Sequence, residues 1–196
     1  MSTNKNQLTP PFTIEAGPDT DIWRMPGHNA WNIPDVHTVS GPLKSFVSVR
    51  ATFSANWENL YDQSGLLLVP RRASDKAPHC KWMKTGIELY NGKPHLSTVS
   101  CDRFADMSLY PVTTESKNIT LEVFREGGVG SGNVWVHQLI MDDQGNIKER
   151  LPLREICWIF CDDHGDDWVL DICALAARPD KKATGPLKVE FVDFKF

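Results

Sequence analysis

The segment from Tyr61 to Ser97 limits the fold of this chain more than any other feature. It contains three runs of strand-like sequence, the last two joined by the turn Asn91-Gly92: Tyr61-Asp62-Gln63-Ser64-Gly65-Leu66, Trp82-Met83-Lys84-Thr85-Gly86-Ile87-Glu88 and His95-Leu96-Ser97. Asn-Gly accepts the positive φ angles of a tight hairpin turn, so the segment is typical of consecutive antiparallel strands. Polar side chains stand among apolar neighbours on each run. The segment therefore predicts a pocket lined by Gln63, Lys84, Glu88 and His95.

Alternation of apolar and polar residues predicts strands along the rest of the chain. Ser45–Phe53 shows the period of two that is expected of a strand with one buried face. Further strands are predicted at Ile22–Met25, Val36–Ser40, Gly65–Val69, Trp82–Tyr90, His95–Cys101, Ile119–Arg125, Val134–Met141, Glu155–Phe160, Trp168–Ala176 and Leu187–Phe194. We find no long segment with a helical period, which disfavours α/β folds with crossover helices. The pattern predicts an all-β sandwich or jelly roll with antiparallel neighbours.

Composition and charge indicate one soluble domain. The 196 residues are 41% hydrophobic and 23% charged, which suits a single domain at residues 12–196 after a flexible segment at residues 1–11. A formal net charge of −4 gives no basic surface for a nucleic acid. No run approaches the roughly 20 apolar residues of a membrane span, and the first residues lack a signal-peptide pattern. We expect a cytoplasmic protein that binds neither nucleic acid nor membrane.

The sequence predicts no metal and no cofactor. Five cysteines, an odd number in hydrophobic surroundings, favour reduced buried thiols over a disulfide framework. Cys157, Cys161 and His164 suggest zinc ligands, but in a strand the two cysteines lie about 13 Å apart. The loop Asp162–Asp167 carries enough oxygen atoms for calcium but lacks the spacing of alternating ligands. The glycine-rich run Gly127–Gly132 has no lysine of a phosphate-binding loop.

Several motifs together resemble the concanavalin-A-like lectin/glucanase-type domains of unknown function typified by the regulation-of-enolase proteins of fungi. In chain order, they are Asp21-Ile22-Trp23-Arg24, the run at Tyr61, Trp82-x-Lys-x-Gly-Ile-Glu, His95-Leu96-Ser97, Asp106-Met107-Ser108 and Val189-Glu190-Phe191-Val192-Asp193-Phe194. They cover nearly the whole chain. The resemblance implies a two-sheet antiparallel jelly-roll sandwich whose curved sheet forms a concave groove.

The resemblance also implies which residues bind a ligand. The matching positions with polar or aromatic side chains are Trp23, Arg24, Tyr61, Gln63, Trp82, Lys84, Glu88 and His95. In glucanases of the superfamily a Glu-x-Asp-x-x-Glu strand supplies the nucleophile and the acid/base group for retaining hydrolysis. This chain has no such strand, so glycosidase activity of that kind is not expected.

The strand Trp82–Tyr90 has one face for the core and one for the groove or for solvent. Alternation sends Trp82, Lys84, Glu88 and Tyr90 to the second face. Lys84 and Glu88 are about 13 Å apart along an extended strand, which precludes a direct pair, so Gln63 and His95 are their expected partners. His95 is equally well explained as an ordinary hairpin residue.

Three functions are compatible with these observations. The leading hypothesis is a binding module that holds a small-molecule or glycan-like ligand in the groove, in the metabolic-regulatory setting that the resemblance implies. The second is an enzyme without a cofactor, of isomerase or cyclase type, with Glu88, Lys84 and His95 as catalytic acid and base groups. The third is an adaptor that binds a protein partner through its outer sheet or the loop Pro70–His79.

Overall fold

A computed structural model describes residues 9–34, 37–75, 81–114, 116–128, 131–161 and 165–196. The fold is all-β in this part of the chain, apart from one 3-10 turn at Leu43–Ser45. The strands are β1 (Phe12–Ala16), β2 (Ile22–Met25), β3 (His28–Trp31), β4 (Thr38–Pro42), β5 (Ser48–Ala55), β6 (Gln63–Arg72), β7 (Trp82–Tyr90), β8 (Lys93–Cys101), β9 (Ala105–Pro111), β10 (Ile119–Arg125), β11 (Val134–Met141), β12 (Ile147–Ile156), β13 (Trp168–Ala177) and β14 (Leu187–Lys195).

The strands form two six-stranded sheets and a separate hairpin. The sheet that we call the β5 sheet has the order β1-β14-β5-β10-β11-β12, and the β7 sheet has the order β4-β13-β6-β7-β8-β9. All strand pairs within them are antiparallel. Strands β2 and β3 pair only with each other, and we call them the cover hairpin. This architecture confirms the predicted two-sheet antiparallel sandwich.

The main core lies between the two sheets because alternate residues of both point inward. Phe53 and Val123 of the β5 sheet and Leu66 and Ile87 of the β7 sheet are almost completely buried there. A second, smaller hydrophobic cluster lies on the opposite face of the β7 sheet, where Ile22 of the cover hairpin packs with side chains of β6 and β7. The β7 sheet is therefore buried on both faces.

The structure corrects several predicted strand positions. The strand predicted at Glu155–Phe160 is wrong, since β12 spans Ile147–Ile156 and the chain bends after it. β12 is the edge of its sheet and carries many exposed charged residues, so it lacks a hydrophobic alternation. Strands β1, β3 and β9 were not predicted. Strand β4 begins at Thr38, whereas the predicted start, Val36, lies outside the described residues.

The turn between β7 and β8 forms as predicted from Asn91-Gly92. Asn91 has a φ of 50° and Gly92 a φ of 71°. Both values are positive, as a type I′ hairpin turn requires. The turn fixes the register in which Glu88 lies opposite His95 and Lys84 opposite Val99.

Candidate functional site

The candidate site lies on the face of the β7 sheet that carries the cover hairpin. Strand pairing arranges this face in transverse rows, because residues directly opposite one another point the same way. The rows across β6, β7 and β8 are, in order, Gln63-Glu88-His95, Gly65-Gly86-Ser97 and Leu67-Lys84-Val99, and Trp82 of β7 then lies opposite Cys101 of β8. A row that is nearly bare of side chains therefore separates the polar row of Glu88 from the row of Lys84.

The bare row provides the floor of the site. Gly65 and Gly86 are paired, and a Cβ atom on Gly86 would overlap the carbonyl of Ser64. A Cβ on Gly65 would meet the carbonyl of Thr85, and its φ of 152° is rare for other residues. The two glycines are thus required by the close approach of β6 and β7. They also leave room for the side chain of Lys84 to extend across the floor toward Gln63.

Lys84 is a buried cation with few partners. Its side chain is 5% exposed, and its Nζ donates to Oε1 of Gln63 at 2.5 Å. Oδ1 of Asp21 lies 4.0 Å from Nζ, and the ring of Trp23 lies 5.8 Å away. An ammonium has three donors, so a single neutral acceptor at hydrogen-bond distance does not satisfy it. Burial lowers the pKa of Lys84, although the negative charges of Glu88 and Asp21 oppose that effect.

Glu88 is the buried anion of the same face. It is 5% exposed, and its Oε2 accepts a hydrogen bond from Oγ of Ser97 at 3.2 Å. Burial raises the pKa of Glu88, and the charge of Lys84 and the Ser97 hydrogen bond partly offset the increase. Lys84 hydrogen-bonds Gln63 rather than Glu88, as the spacing along the strand predicts. The amide of Gln63 is held in turn by Oδ1 of Asp21 at 3.2 Å.

These groups line a pocket of about 210 Å³ that we call the β7 pocket. Its lining residues are Asp21, Trp23, Tyr61, Gln63, Lys84, Glu88 and Met107. Asp21 and Trp23 come from the start of the cover hairpin and Met107 from β9, so the pocket joins three distant parts of the chain. An indole and a phenol ring beside two carboxylates, an amide and an ammonium suit a small ligand with both hydroxyl groups and an apolar face.

Tyr61 is held at the pocket in an unusual backbone conformation. Its φ is 65°, and its N–H donates to the carbonyl of Leu89 at 2.8 Å. The next residue, Asp62, is fully buried and receives two hydrogen bonds of 2.8 Å from the guanidinium of Arg178. Backbone N–H groups of Glu58 and Asn59 also donate to Asp62. Strained residues that are held by surrounding contacts often occur at ligand sites. Here the hydrogen bonds to Asp62 fix the neighbouring Tyr61 at the pocket rim.

The structure brings together five of the eight predicted ligand-binding residues, namely Trp23, Tyr61, Gln63, Lys84 and Glu88. Asp21 and Met107 also line the pocket, and sequence reasoning missed both. The signal for Asp21 was present, because an extended Asp21-Ile22-Trp23 places positions 21 and 23 on the same side. No local pattern in the sequence indicated that Met107 of β9 would line the same pocket as Lys84.

The other three predicted residues lie outside the pocket lining. Trp82 is 1% exposed and packs edge-on against Trp31, so it supports the cover hairpin instead of offering a face to a ligand. Arg24 donates to the carbonyl of Asp102 at 3.3 Å and to Asn29 at 3.4 Å, at the rim of the hairpin.

His95 is half-buried beside the pocket and does not line it. Its Nδ1 lies 2.9 Å from the carbonyl of Lys93, and its ring meets the edge of Tyr90. The expected contacts of His95 with Lys84 or Glu88 do not form: these two groups use Gln63 and Ser97 instead. The alternative interpretation of His95 as a hairpin residue fits these contacts.

The described part of the chain contains no group of three or more potential metal ligands. Cys101 is buried and Cys173 half-buried, but Cys157 and Cys161 are exposed, which corrects the expectation of buried thiols for these two. Cys80, His164 and positions 162–163 of the acidic loop lie outside the described residues. None of the helices in the described residues is long and apolar enough to cross a membrane.

Comparison with known sequences identifies relatives along nearly the whole chain. The family described as "Protein of unknown function (DUF1349)" matches residues 2–196. An uncharacterized protein of Emericella nidulans is 42% identical over 182 residues, which are 92% of this chain and 82% of that protein. Regulation of enolase protein 1 of Saccharomyces cerevisiae is 27% identical over 117 residues, or 60% of this chain and 55% of the yeast protein.

Solved structures share the fold at low sequence identity. A functionally unknown protein from Saccharomyces cerevisiae has a TM-score of 0.68 and 22% identity, covering 93% of this chain and 85% of that one. A mutant of the GH43 protein BlXynB from Bacillus licheniformis has a TM-score of 0.56 and 11% identity over 93% and 32% of the two chains. Alginate lyase A1-II′ has a TM-score of 0.54 and 8% identity over 100% and 83%. These structures support a jelly-roll sandwich and no more than the fold.

Proposed function

The chain belongs to the family of proteins of unknown function DUF1349, and from this premise we propose that it is a binding module for a small, neutral, glycan-like ligand. The ligand occupies the β7 pocket. The observation that carries the proposal is the ammonium of Lys84, which is buried at a pocket and has one neutral hydrogen-bond acceptor, Oε1 of Gln63. A ligand hydroxyl that accepts from this ammonium would complete its hydrogen bonding and lower the cost of its burial.

Pocket size and charge narrow the ligand class. A volume of about 210 Å³ is below the range of about 300–1,000 Å³ that is typical of drug-sized ligands, so one sugar-sized ring is expected. Asp21 and Glu88 both face the pocket beside Lys84. A phosphate or a carboxylate on the ligand would lie next to these two acidic groups and be repelled. Neutral hydroxyl groups donate to carboxylates and accept from the ammonium, and Trp23 offers a flat surface for the ring.

A thermal-shift titration tests the proposal. The purified protein is incubated with neutral monosaccharides, the corresponding sugar phosphates and aromatic metabolites. A ligand at 100 times its Kd stabilises the native state by about 2.7 kcal/mol, which for a domain of this size raises Tm by about 5–10 °C. We expect a neutral sugar to give the largest shift. The shift should disappear in Lys84→Met and persist in Lys93→Met, a matched change of an exposed lysine at the nearby turn.

Two outcomes would overturn the binding proposal. One is a shift that survives Lys84→Met, because the ligand would then lie elsewhere. The other is a consistent preference for sugar phosphates, which contradicts the charge argument. If no compound shifts Tm, the pocket is not a site for these ligands, and affinity capture from lysate would test the adaptor hypothesis with its protein partner instead.

One observation favours a second candidate, acid–base catalysis in the same pocket. Burial moves the pKa of Glu88 upward and that of Lys84 downward, so both shifts are toward neutrality. Paired groups of this kind are common at catalytic sites. Incubation of any ligand from the screen with wild type and Glu88→Gln, followed by NMR of the product mixture, separates the two functions. Conversion by wild type alone would indicate an enzyme that uses Glu88.

We further propose that the protein acts in the cytoplasm in a metabolic-regulatory setting. The support is the name of one relative, Regulation of enolase protein 1, with which the chain shares 27% identity. Microscopy of the fluorescently tagged protein tests the location. Metabolite profiling of cells that carry Lys84→Met tests whether the pocket has a role in that setting.

A further inference from the structure

The outward face of the β5 sheet is the second concentration of polar and aromatic groups in the described molecule. On β10, Leu121 and Val123 point into the core, so Thr120, Glu122 and Phe124 point outward. Strand register extends these positions across β5 and β11 into three rows: Thr52-Thr120-Leu139, Arg50-Glu122-His137 and Ser48-Phe124-Trp135. We call this surface the β5 face. It lies on the opposite side of the sandwich from the β7 pocket.

One end of the β5 face is an aromatic platform. The ring of His137 stacks on Phe124 with centroids 5.2 Å apart and on Trp135 with centroids 5.9 Å apart. All three rings are half-buried, so each keeps an accessible surface. The indole N–H of Trp135 donates to Glu126 at 3.1 Å, which holds the ring in place. Such a platform attracts the apolar C–H faces of sugar rings, because the π face is electron-rich.

The other end of the β5 face is a polar pocket of about 610 Å³. The hydroxyl groups of Thr52 and Thr120 lie 2.9 Å apart on its floor. Arg50 and Asp193 form one wall, with Nη2 of the arginine 3.0 Å from the carboxylate. The volume falls within the range of about 300–1,000 Å³ that small-molecule sites occupy. The pocket is therefore roomier than the β7 pocket and rich in hydroxyl groups.

Two buried polar atoms of the middle row have no hydrogen-bond partner. They are Nε of Arg50 and Nδ1 of His137, which flank Glu122 on neighbouring strands. Buried polar atoms are nearly always paired, so each unpaired one requires an explanation. Burial also lowers the pKa of His137, which favours its neutral ring. Both atoms are buried beneath the face, so they mark a row whose polar groups the strands themselves do not satisfy.

The charges of the β5 face are paired with one another. Arg50 contacts Asp193, and Arg150 contacts Glu122 at 3.0 Å. Lys195 also lies 3.2 Å from Asp193. In these pairs both arginines already contact a carboxylate, which favours a neutral chain of sugars over an anionic polymer as the ligand.

From the aromatic platform and the polar pocket, we propose that the β5 face is a second binding site, specific for a neutral oligosaccharide. One sugar ring of the oligosaccharide stacks on Trp135. The hydroxyl groups of the next sugars lie against Arg50, Thr52 and Thr120. The two sites lie on opposite faces of the sandwich, so the protein can hold two glycan-like ligands at once. This proposal does not depend on the β7 pocket having a ligand.

Calorimetric titration with defined oligosaccharides tests the proposal. The probes are hexasaccharides of glucose, xylose and mannose, with a galacturonic acid hexasaccharide as the anionic comparison. We expect at least one neutral probe to bind and the Trp135→Ala variant to lose at least tenfold in affinity. Tyr110→Ala, which removes an exposed aromatic ring from the other sheet, is the matched control and should bind like wild type.

Further variants separate this site from the β7 pocket. Hexasaccharide binding should persist in Lys84→Met, which removes only a contribution from the β7 pocket, whereas Arg50→Lys should weaken it while retaining a cation beside Asp193. Arg50→Lys also replaces Trp135→Ala if the latter lowers Tm markedly. The proposal is overturned if no neutral hexasaccharide binds, if binding survives both changes on the β5 face, or if the anionic probe binds most tightly. Binding lost only in Lys84→Met would assign the oligosaccharide to the β7 pocket.

Discussion

Arg178 and Lys84 are both buried cations, but their surroundings differ. The side chain of Arg178 is 3% exposed, and its guanidinium makes two hydrogen bonds of 2.8 Å to Asp62 and one of 3.1 Å to the carbonyl of Gly185. The side chain of Lys84 is 5% exposed and has one hydrogen bond, to a neutral amide. Arg178 thus has the paired environment of a structural group, whereas Lys84 has an incomplete environment that opens onto a pocket.

Structural and functional charges in this fold differ in how completely each one is paired. Removing one partner from a buried, fully paired ion pair leaves the other charge uncompensated. Removing a buried cation with few partners relieves a desolvation cost and sacrifices little. Stability measurements should therefore assign opposite roles to the two residues, and ligand binding should depend on Lys84.

The largest expected effect is that of Arg178→Met. The change leaves the carboxylate of Asp62 buried without its partner, so we expect a loss of about 3–5 kcal/mol in the free energy of unfolding. Urea denaturation measures it. The control is Arg72→Met, an exposed residue whose Nε lies 4.0 Å from a carboxylate oxygen of Asp167, and its effect should be within about 0.5 kcal/mol. Equal effects of the two changes would contradict the structural role of Arg178.

Gly86→Ala tests the floor on which Lys84 lies. The added methyl group would overlap the carbonyl of Ser64, so β6 and β7 must separate. Overpacking of this kind typically costs about 1–3 kcal/mol. Gly41→Ala is the control, because a Cβ there meets no atom within 4 Å. If the two variants have the same midpoint in urea, close approach of the strands is not what requires a glycine at position 86.

Lys84→Met should change stability much less than Arg178→Met does. At pH 4, below the ordinary value of 4.5 above which burial raises the pKa of Glu88, this carboxyl is protonated and needs no cation. We therefore expect a change in unfolding free energy of less than about 1 kcal/mol, or a gain. The same urea experiment measures it. A loss as large as that of Arg178→Met would mean that Lys84 is also a structural ion-pair partner and would remove the main argument for the β7 pocket.

The smallest expected effect is the pH dependence of the unfolding free energy that Glu88 confers. In the folded protein, burial raises the pKa of Glu88 above its ordinary value of 4.5. At pH values between 4.5 and this folded-state pKa, the native state binds more protons than the unfolded state. Stability contributed by the neutral carboxyl is therefore present below pH 4.5 and is lost as the pH rises through the folded-state pKa. Relative to Glu88→Gln, wild type should become less stable as the pH increases from 4 to 8. A difference that is flat or of opposite sign would refute this assignment.

The sequence predicts the sandwich well where strands have one apolar face, and less well at edges and contacts. β5, β7 and β10 show a clear alternation, whereas edge strand β12 is charged on much of its surface and was misplaced. The polar face of β7 was identified correctly from its period. The cover hairpin buries Trp82 on this face. No local sequence pattern encodes the packing of that hairpin, so the burial of Trp82 could not be predicted. Met107 lines the pocket because β9 packs beside β8 in the tertiary structure, which its own sequence does not indicate.

The cover hairpin has a further consequence for exchange of ligand with solvent. Its strands pair with each other and with neither sheet, so side-chain packing, as between Trp31 and Trp82, supports it in the absence of a shared ladder. It can lift without breaking a hydrogen bond of either sheet ladder. Because Asp21 and Trp23 line the pocket, we expect a ligand that contacts both to make detachment of this hairpin rarer. A bound ligand should slow amide hydrogen exchange in residues 22–31 before anywhere else in the sandwich.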